Sequence, residues 1–194
     1  MIVNKDREKL IAAIVFFSKN TQNCSKTKLF KLLFLLDFEH FKATGRTVTG
    51  NDYFALPRGP VPLALHNEFD LEESQSDFES SVDIEAQVFF GHKRFLVKPK
   101  RDFDATVFTK REIKLLGEIA SSYRTQTAKD MVDVTHAENG AWDKVYRGGL
   151  GLGEKIPYIL AFENQKEAES VEVLQKERAE FLAQFGSGRY QIAA

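Results

Sequence analysis

The sequence predicts a mainly α protein of the α+β class. It reads as a compact multi-helix domain around one central apolar helix, with a small antiparallel β-hairpin. Three observations carry that expectation. Apolar residues recur at helical spacing in several separate segments. One segment, from Lys26 to about Ala43, is apolar around nearly its whole circumference, as a helix surrounded by others must be. And two β-rich runs, IEAQVFF and RFLVK, flank the short break Gly91-His92-Lys93.

In chain order, Asn4 to Lys19 reads as an amphipathic helix, with Leu10, Ile14 and Phe17 on one face. The run 20–23 breaks it, and Ser25 is placed to cap the next helix by accepting from a free backbone N–H. That helix carries Leu29, Phe30, Leu32, Leu33, Phe34, Leu36, Phe38 and Phe41, and Gly45 stands at its C-cap. Thr47 to Leu56 reads as a turn and a short extended piece. Pro57 to Pro62 reads as a rigid loop, because proline fixes φ and removes a donor. A short helix is expected from Leu63 to Phe69. The stretch EESQSDFESS reads as a solvated loop. Thr109 with Glu112, and Thr127 with Asp130, are capping-box pairs that open two further helices. A short helix follows Gly140 and ends at Arg147. Residues 148–153 read as a flexible glycine-rich linker, and order returns from Ile156 to Phe162. A polar helix is expected over 165–185 and a loose tail over 186–194.

Composition narrows the function. The chain has 194 residues, 27 Lys plus Arg against 28 Asp plus Glu, and a single cysteine. A net charge of -1 argues against a surface built throughout to grip nucleic acid. One cysteine excludes an internal disulfide framework and a multi-thiolate zinc site. No apolar run reaches the ~20 residues of a membrane-spanning helix, and the first ten residues lack a signal-peptide core. The expectation is a cytoplasmic protein.

Several constellations are candidates for chemistry. Asp37 and His40 are i, i+3 on one helix, and His136 is the remaining partner for a metal-dependent enzyme. The set lacks the second carboxylate-x-x-His pair that di-metal bundles use. Cys24, just ahead of a helix N-terminus, is a candidate thiol with no base fixed beside it. The glycines at 149, 151 and 153 lack the context of a phosphate loop. From Gly59 through His92 there is no Lys or Arg, but Glu68, Asp70, Glu72, Glu73, Asp77, Glu79, Asp83 and Glu85 are present. Lys93, Arg94, Lys98, Lys100 and Arg101 follow, which keeps a nucleic-acid-binding regulator in view as an alternative. The terminal Ile192-Ala193-Ala194 resembles the small apolar signals read by bacterial unfoldase–proteases, and is a candidate degron. No complete catalytic or metal-ligating set is visible, so neither an enzyme nor a cofactor is expected.

The stretch from Lys28 to Pro62 resembles the Panacea, or SocA-like, antitoxin domain of bacterial and phage toxin–antitoxin systems. KLFKLLFLLDFEHF resembles that family's helix, through Asp37 and His40. ATGRTVTGNDYFAL resembles its turn and strand, through Gly45, Arg46, Thr49, Gly50 and Tyr53. PRGPVPLAL carries its GPVP segment, Gly59, Pro60, Val61 and Pro62. Farther on, Thr135, His136 and Trp142 stand where the family repeats a TH…W pattern. The sequence departs from the family at Thr44, Arg58 and Ala141. The resemblance covers about residues 4–162 and implies a non-enzymatic protein that neutralises a toxin by binding it. Its partner would be a cognate protein toxin encoded by an adjacent gene, with a cellular protease such as ClpXP as a further one. Neither nucleic acid nor membrane is expected as a partner. Arg58, Glu72, Glu73, Asp77, Glu79 and Arg94 are the candidate toxin contacts.

Overall fold

Helix α2 (Lys26–Thr44) is the axis on which the other elements are laid. The computed structural model describes residues 5–69, 75–89, 91–162, 164, 167–171, 173, 175–176 and 180. Around α2 lie α1 (Asp6–Asn20), α5 (Lys110–Ser122), α6 (Ala128–Thr135) and the strand β2 (Gly59–Pro62). Leu29, Leu32, Leu33 and Leu36 of α2 are fully buried among them. The all-round apolar pattern therefore has its predicted cause. Ser25 caps α2 by accepting from the Lys28 amide, and Gly45 ends it at φ 67, returning its N–H to the Phe41 carbonyl.

Two small antiparallel sheets flank the helices, one more than the sequence suggested. Strand β1 (Tyr53–Leu56) pairs with β2, so Gly59 to Pro62 is a buried strand and not the expected loop. The turn between them is Pro57-Arg58. Prolines at 60 and 62 are tolerated because β2 is an edge strand of its sheet. Residues 153–156 add to the other edge of β1, through bonds of 2.8 Å from Gly153 N to Ala55 O, Ala55 N to Glu154 O and Ile156 N to Tyr53 O. Strands β3 (Val82–Phe89) and β4 (His92–Pro99) form the predicted hairpin, somewhat longer than expected.

The shorter helices are α3 (Leu63–Asn67), α4 (Ser76–Ser81) and α7 (Ala141–Tyr146). Helix α4 replaces part of the expected solvated loop, and Phe78 explains why. Its ring is buried and meets Phe69 at 5.4 Å. Arg7 of α1 then ties this segment down, with Nη1 and Nη2 on Glu68 at 2.6 and 2.7 Å, and Nε and Nη2 on Asp77 at 2.8 and 2.6 Å. Lys9 binds Glu112 at 2.6 Å and joins α1 to α5. The capping boxes of Thr109–Glu112 and Thr127–Asp130 are both formed. Among the described residues no helix is long and apolar enough to cross a membrane.

Thr109→Ala removes the cap of α5 and frees one partner of Glu112. It is expected to cost about 1 kcal/mol, the usual worth of an N-cap. The denaturant midpoint reads that loss, and an unchanged midpoint would contradict it.

Candidate functional site

The residues the sequence singled out fall into three adjoining clusters on α2 and the segments that follow it. The first is centred on Asp37, which is fully buried. Its Oδ1 accepts from the backbone N–H of Val48 and of Thr49, both at 2.8 Å. Its Oδ2 accepts from the Tyr53 hydroxyl at 2.9 Å and from the Thr49 hydroxyl. Four donors thus converge on one carboxylate. Burial pushes the Asp37 carboxyl upward, and all four donors oppose that rise. Burial first, and then the charge of Asp37, push the Tyr53 phenol upward, so it stays a donor. Asn51 extends the network by donating to Thr49 Oγ1 at 2.8 Å, and its own carbonyl accepts from the Tyr158 hydroxyl.

His40 lies one turn on. Its Nδ1 is 2.7 Å from the Arg46 carbonyl, and a carbonyl only accepts, so Nδ1 carries the proton there. The Arg46 side chain itself is exposed. Gly50 needs its positive φ of 68, and a Cβ there would come 2.5 Å from an Asp6 carboxylate oxygen.

The third cluster lies under β2. His136 stacks on Trp142, centroids 3.6 Å apart and planes 6° apart, and Trp142 stacks on Tyr146 at 4.5 Å. The Trp142 indole N–H donates to the Leu56 carbonyl at 3.1 Å. Lys31, buried to 1% exposure, donates to the Pro60 carbonyl at 2.7 Å. Gly59 has φ 96, and a Cβ there would lie 2.8 Å from Lys31 Nζ and 3.0 Å from His136 Nε2. The GPVP glycine is therefore required twice, by its backbone and by the two nitrogens crowded against it. Burial pushes the Lys31 amine down to about 7. Burial, followed by the charge of Lys31, also lowers the basicity of His136. His136 Nε2 is buried without a hydrogen-bond partner among the described residues.

Sequence reasoning overlooked Lys31 and its neighbour Lys28. Lys28 is fully buried and donates to the carbonyls of Gln22, Arg124 and Gln126 at 3.0, 3.1 and 2.7 Å, clasping two loops. The available signal was two lysines at i, i+3 among the apolar residues of the first half of α2.

The geometry does not assemble Asp37, His40 and His136 into a metal site. Asp37 is occupied by donors, His40 by a carbonyl, and His136 belongs to a different cluster. Among the described residues no group of three or more His, Cys, Asp or Glu could hold a metal ion. Burial pushes the Cys24 thiol up to about 11, the opposite of what a nucleophile needs.

The candidate contact residues are dispersed. Arg58 is exposed on the β1–β2 turn, and Glu79 is exposed on α4. Asp77 is held by Arg7, which keeps its carboxyl below the usual range. Arg94 bonds Gln87 across the hairpin at 2.9 Å. Lys98 pairs with Glu85, and Lys100 with Asp83 at 2.9 Å, so acidic window and basic strand largely answer one another. Glu72, Glu73, Ile192, Ala193 and Ala194 lie outside the described residues. A groove of about 620 Å³ runs between Phe34, Leu35 and Phe38 of α2 and residues 137–141, with Glu39, Lys42, Glu138 and Lys144 giving it a rim of mixed sign.

Comparison with known proteins places this arrangement in a class. The family of antitoxins described as "Antitoxin SocA-like, Panacea domain" matches residues 29–143. The chain belongs to that family, and an antitoxin role, with a toxin as partner, follows from it in general terms. The searches against curated proteins and against solved structures found no match.

Two predictions test the site. Asp37→Asn replaces one acceptor oxygen with an amide donor that faces donors. It is expected to cost about 2 kcal/mol or more, since unsatisfied buried donors are expensive; urea denaturation measures it. Lys31 gives a pH signature. Its folded pKa of about 7 lies below the ordinary lysine value of ~10.4. Between those values the unfolded chain holds a proton that the folded protein lacks. Stability from this residue therefore rises with pH from about 7 toward 10, and its cost is complete below 7. Lys31→Met removes that rise, so the wild-type denaturation midpoint should climb relative to that of the variant on going from pH 7 to pH 9. A constant gap would contradict the assignment.

Proposed function

We propose that this protein is a cytoplasmic, non-enzymatic antitoxin that neutralises a cognate toxin by direct protein–protein binding. The observation that carries the reading is the use made of the family's own residues. Asp37, Tyr53, Gly59, His136 and Trp142 are spent on holding β1, β2 and α7 against α2, and His40 on holding the Arg46 carbonyl at the end of that helix. What that scaffold displays to solvent is the Pro57-Arg58 turn, and Arg58 is the candidate contact best placed on it. A rigid turn loses little conformational freedom on binding, which favours affinity. The acidic residues 68, 77, 83 and 85 have internal partners, so attraction of a basic toxin would fall to exposed acids such as Glu79.

The unit proposed to carry the toxin-facing fold is residues 4–162, with 165–185 as an appended helix and 186–194 as a tail. Turnover through Ile192-Ala193-Ala194 by a ClpXP-like protease is a separable part of the proposal. Neutralisation by occlusion needs only the folded unit.

The test is a growth assay. The reading frame next to this gene is expressed alone and then together with this protein. Growth arrest by the neighbour and its relief on co-expression, with the two proteins co-purifying, is the expected result. A harmless neighbour, or an arrest that co-expression leaves unchanged, would overturn the reading.

A further inference from the structure

Leu150 and Leu152 are 85% and 58% exposed, yet the turn that carries them is tightly built. The run 147–153 returns the Gly151 N–H to the Tyr146 carbonyl at 3.1 Å and the Leu152 N–H to the Gly149 carbonyl at 3.2 Å. Its far end is fixed to β1 by the Gly153 bond to Ala55 at 2.8 Å, and Arg147 closes the base on Glu154 at 3.0 Å. The glycines are used individually. Gly148, Gly149 and Gly153 have φ of 65, 109 and 79, and a Cβ on Gly151 would lie 1.9 Å from the Val145 carbonyl oxygen. The expected flexible linker is thus a fixed turn, and its leucines point into water from a defined backbone.

The pairing places a charged turn at the same end of the sheet. Tyr53 is bonded to Ile156, Phe54 bridges Lys155, and Ala55 is bonded to Glu154 and Gly153. Gly153 and Glu154 thus both oppose Ala55, a bulge at which the pairing ends, so Leu152 leaves the sheet from the same end of β1 as the Pro57-Arg58 turn. Pro57 and Arg58 are both exposed, and Arg58 forms no ion pair among the described residues. Two apolar side chains and a cation therefore stand at one end of the β1 sheet, on turns that are already ordered.

We propose that this end of the sheet is the docking surface for the toxin, with Leu150 and Leu152 entering an apolar socket on it and Arg58 meeting a carboxylate on the socket's rim. The proposal rests on the antitoxin reading and adds the surface and the chemistry of the partner. Burial of preordered leucines supplies attraction at small entropic cost, and the arginine supplies orientation and a salt-dependent approach.

The experiment uses the full-length protein and the product of the adjacent reading frame, measured by calorimetry or biosensor and by growth rescue. The variants are Leu150→Ser/Leu152→Ser, Arg58→Glu, and Val88→Ser as a control at the exposed hairpin tip. The double leucine variant is expected to bind at least tenfold more weakly, with an unchanged thermal melt because both side chains are already exposed. Arg58→Glu is expected to slow association and flatten its salt dependence, and Val88→Ser to change neither. Wild-type binding that the leucine pair does not affect would overturn the proposal while leaving the antitoxin reading intact. Absence of wild-type binding would remove that reading, and this surface with it. If the wild type sediments as a dimer that the double leucine variant dissolves, the surface belongs to a second copy of this chain and the proposal is overturned.

Discussion

One buried carboxylate sets the geometry on which two exposed turns depend. Asp37 projects from the middle of α2 and gathers two backbone N–H groups and two hydroxyls from residues 48–53. A fully buried carboxylate is tolerable only when its oxygens are satisfied, so the segment after α2 has little freedom in where it can lie. That segment leads directly into β1. The register of β1 then fixes β2 on one edge and residues 153–156 on the other. An interaction inside the core therefore determines the position of two surface turns.

The cluster under β2 completes the arrangement with nitrogen atoms in place of oxygen. Lys31 reaches from α2 to the Pro60 carbonyl, and only a glycine at 59 leaves room for its amine and for the His136 ring. Trp142 holds the other strand by its bond to Leu56 and carries His136 on its face. These residues look like chemistry when read as a list of histidines, lysines and an aspartate. In three dimensions each has a neighbour that consumes its polar capacity, apart from His136 Nε2, which faces the crowded Gly59 and Lys31. The division of labour that results is simple: the buried residues build the platform, and the turns at its edge face solvent.

Much of the fold was legible because its signals are local. The apolar circumference of α2, the Ser25 cap, the Gly45 terminus and both capping boxes follow from spacing alone. The failures have physical causes as well. Gly59 to Pro62 carries two prolines and reads as a loop, but an edge strand needs only one row of hydrogen bonds, and β1 supplies it. Helix α4 lies in an acidic, polar stretch, and its order comes from Phe78 and from Arg7, some 70 residues away in sequence. Residues 148–153 have the composition of a linker, while their conformation is set by a bond back to Tyr146 and a tertiary bond to Ala55. At the site, the resemblance named Asp37, Thr49 and Tyr53, but it did not join Asp37 to Val48, Thr49 and Tyr53. Lys28 and Lys31 were hidden because their partners are backbone carbonyls, which no sequence pattern announces.

The most direct test of the account is amide hydrogen exchange of this protein, free and bound to the product of the adjacent reading frame. In the free protein the Val48 and Thr49 amides should already exchange only through global unfolding, since both are buried donors to Asp37. On binding, new protection should appear at residues 57–58 and 147–153 and leave 37–53 unchanged. Rapid exchange at 48 and 49 in the free protein, or protection gained only on faces remote from those turns, would contradict it.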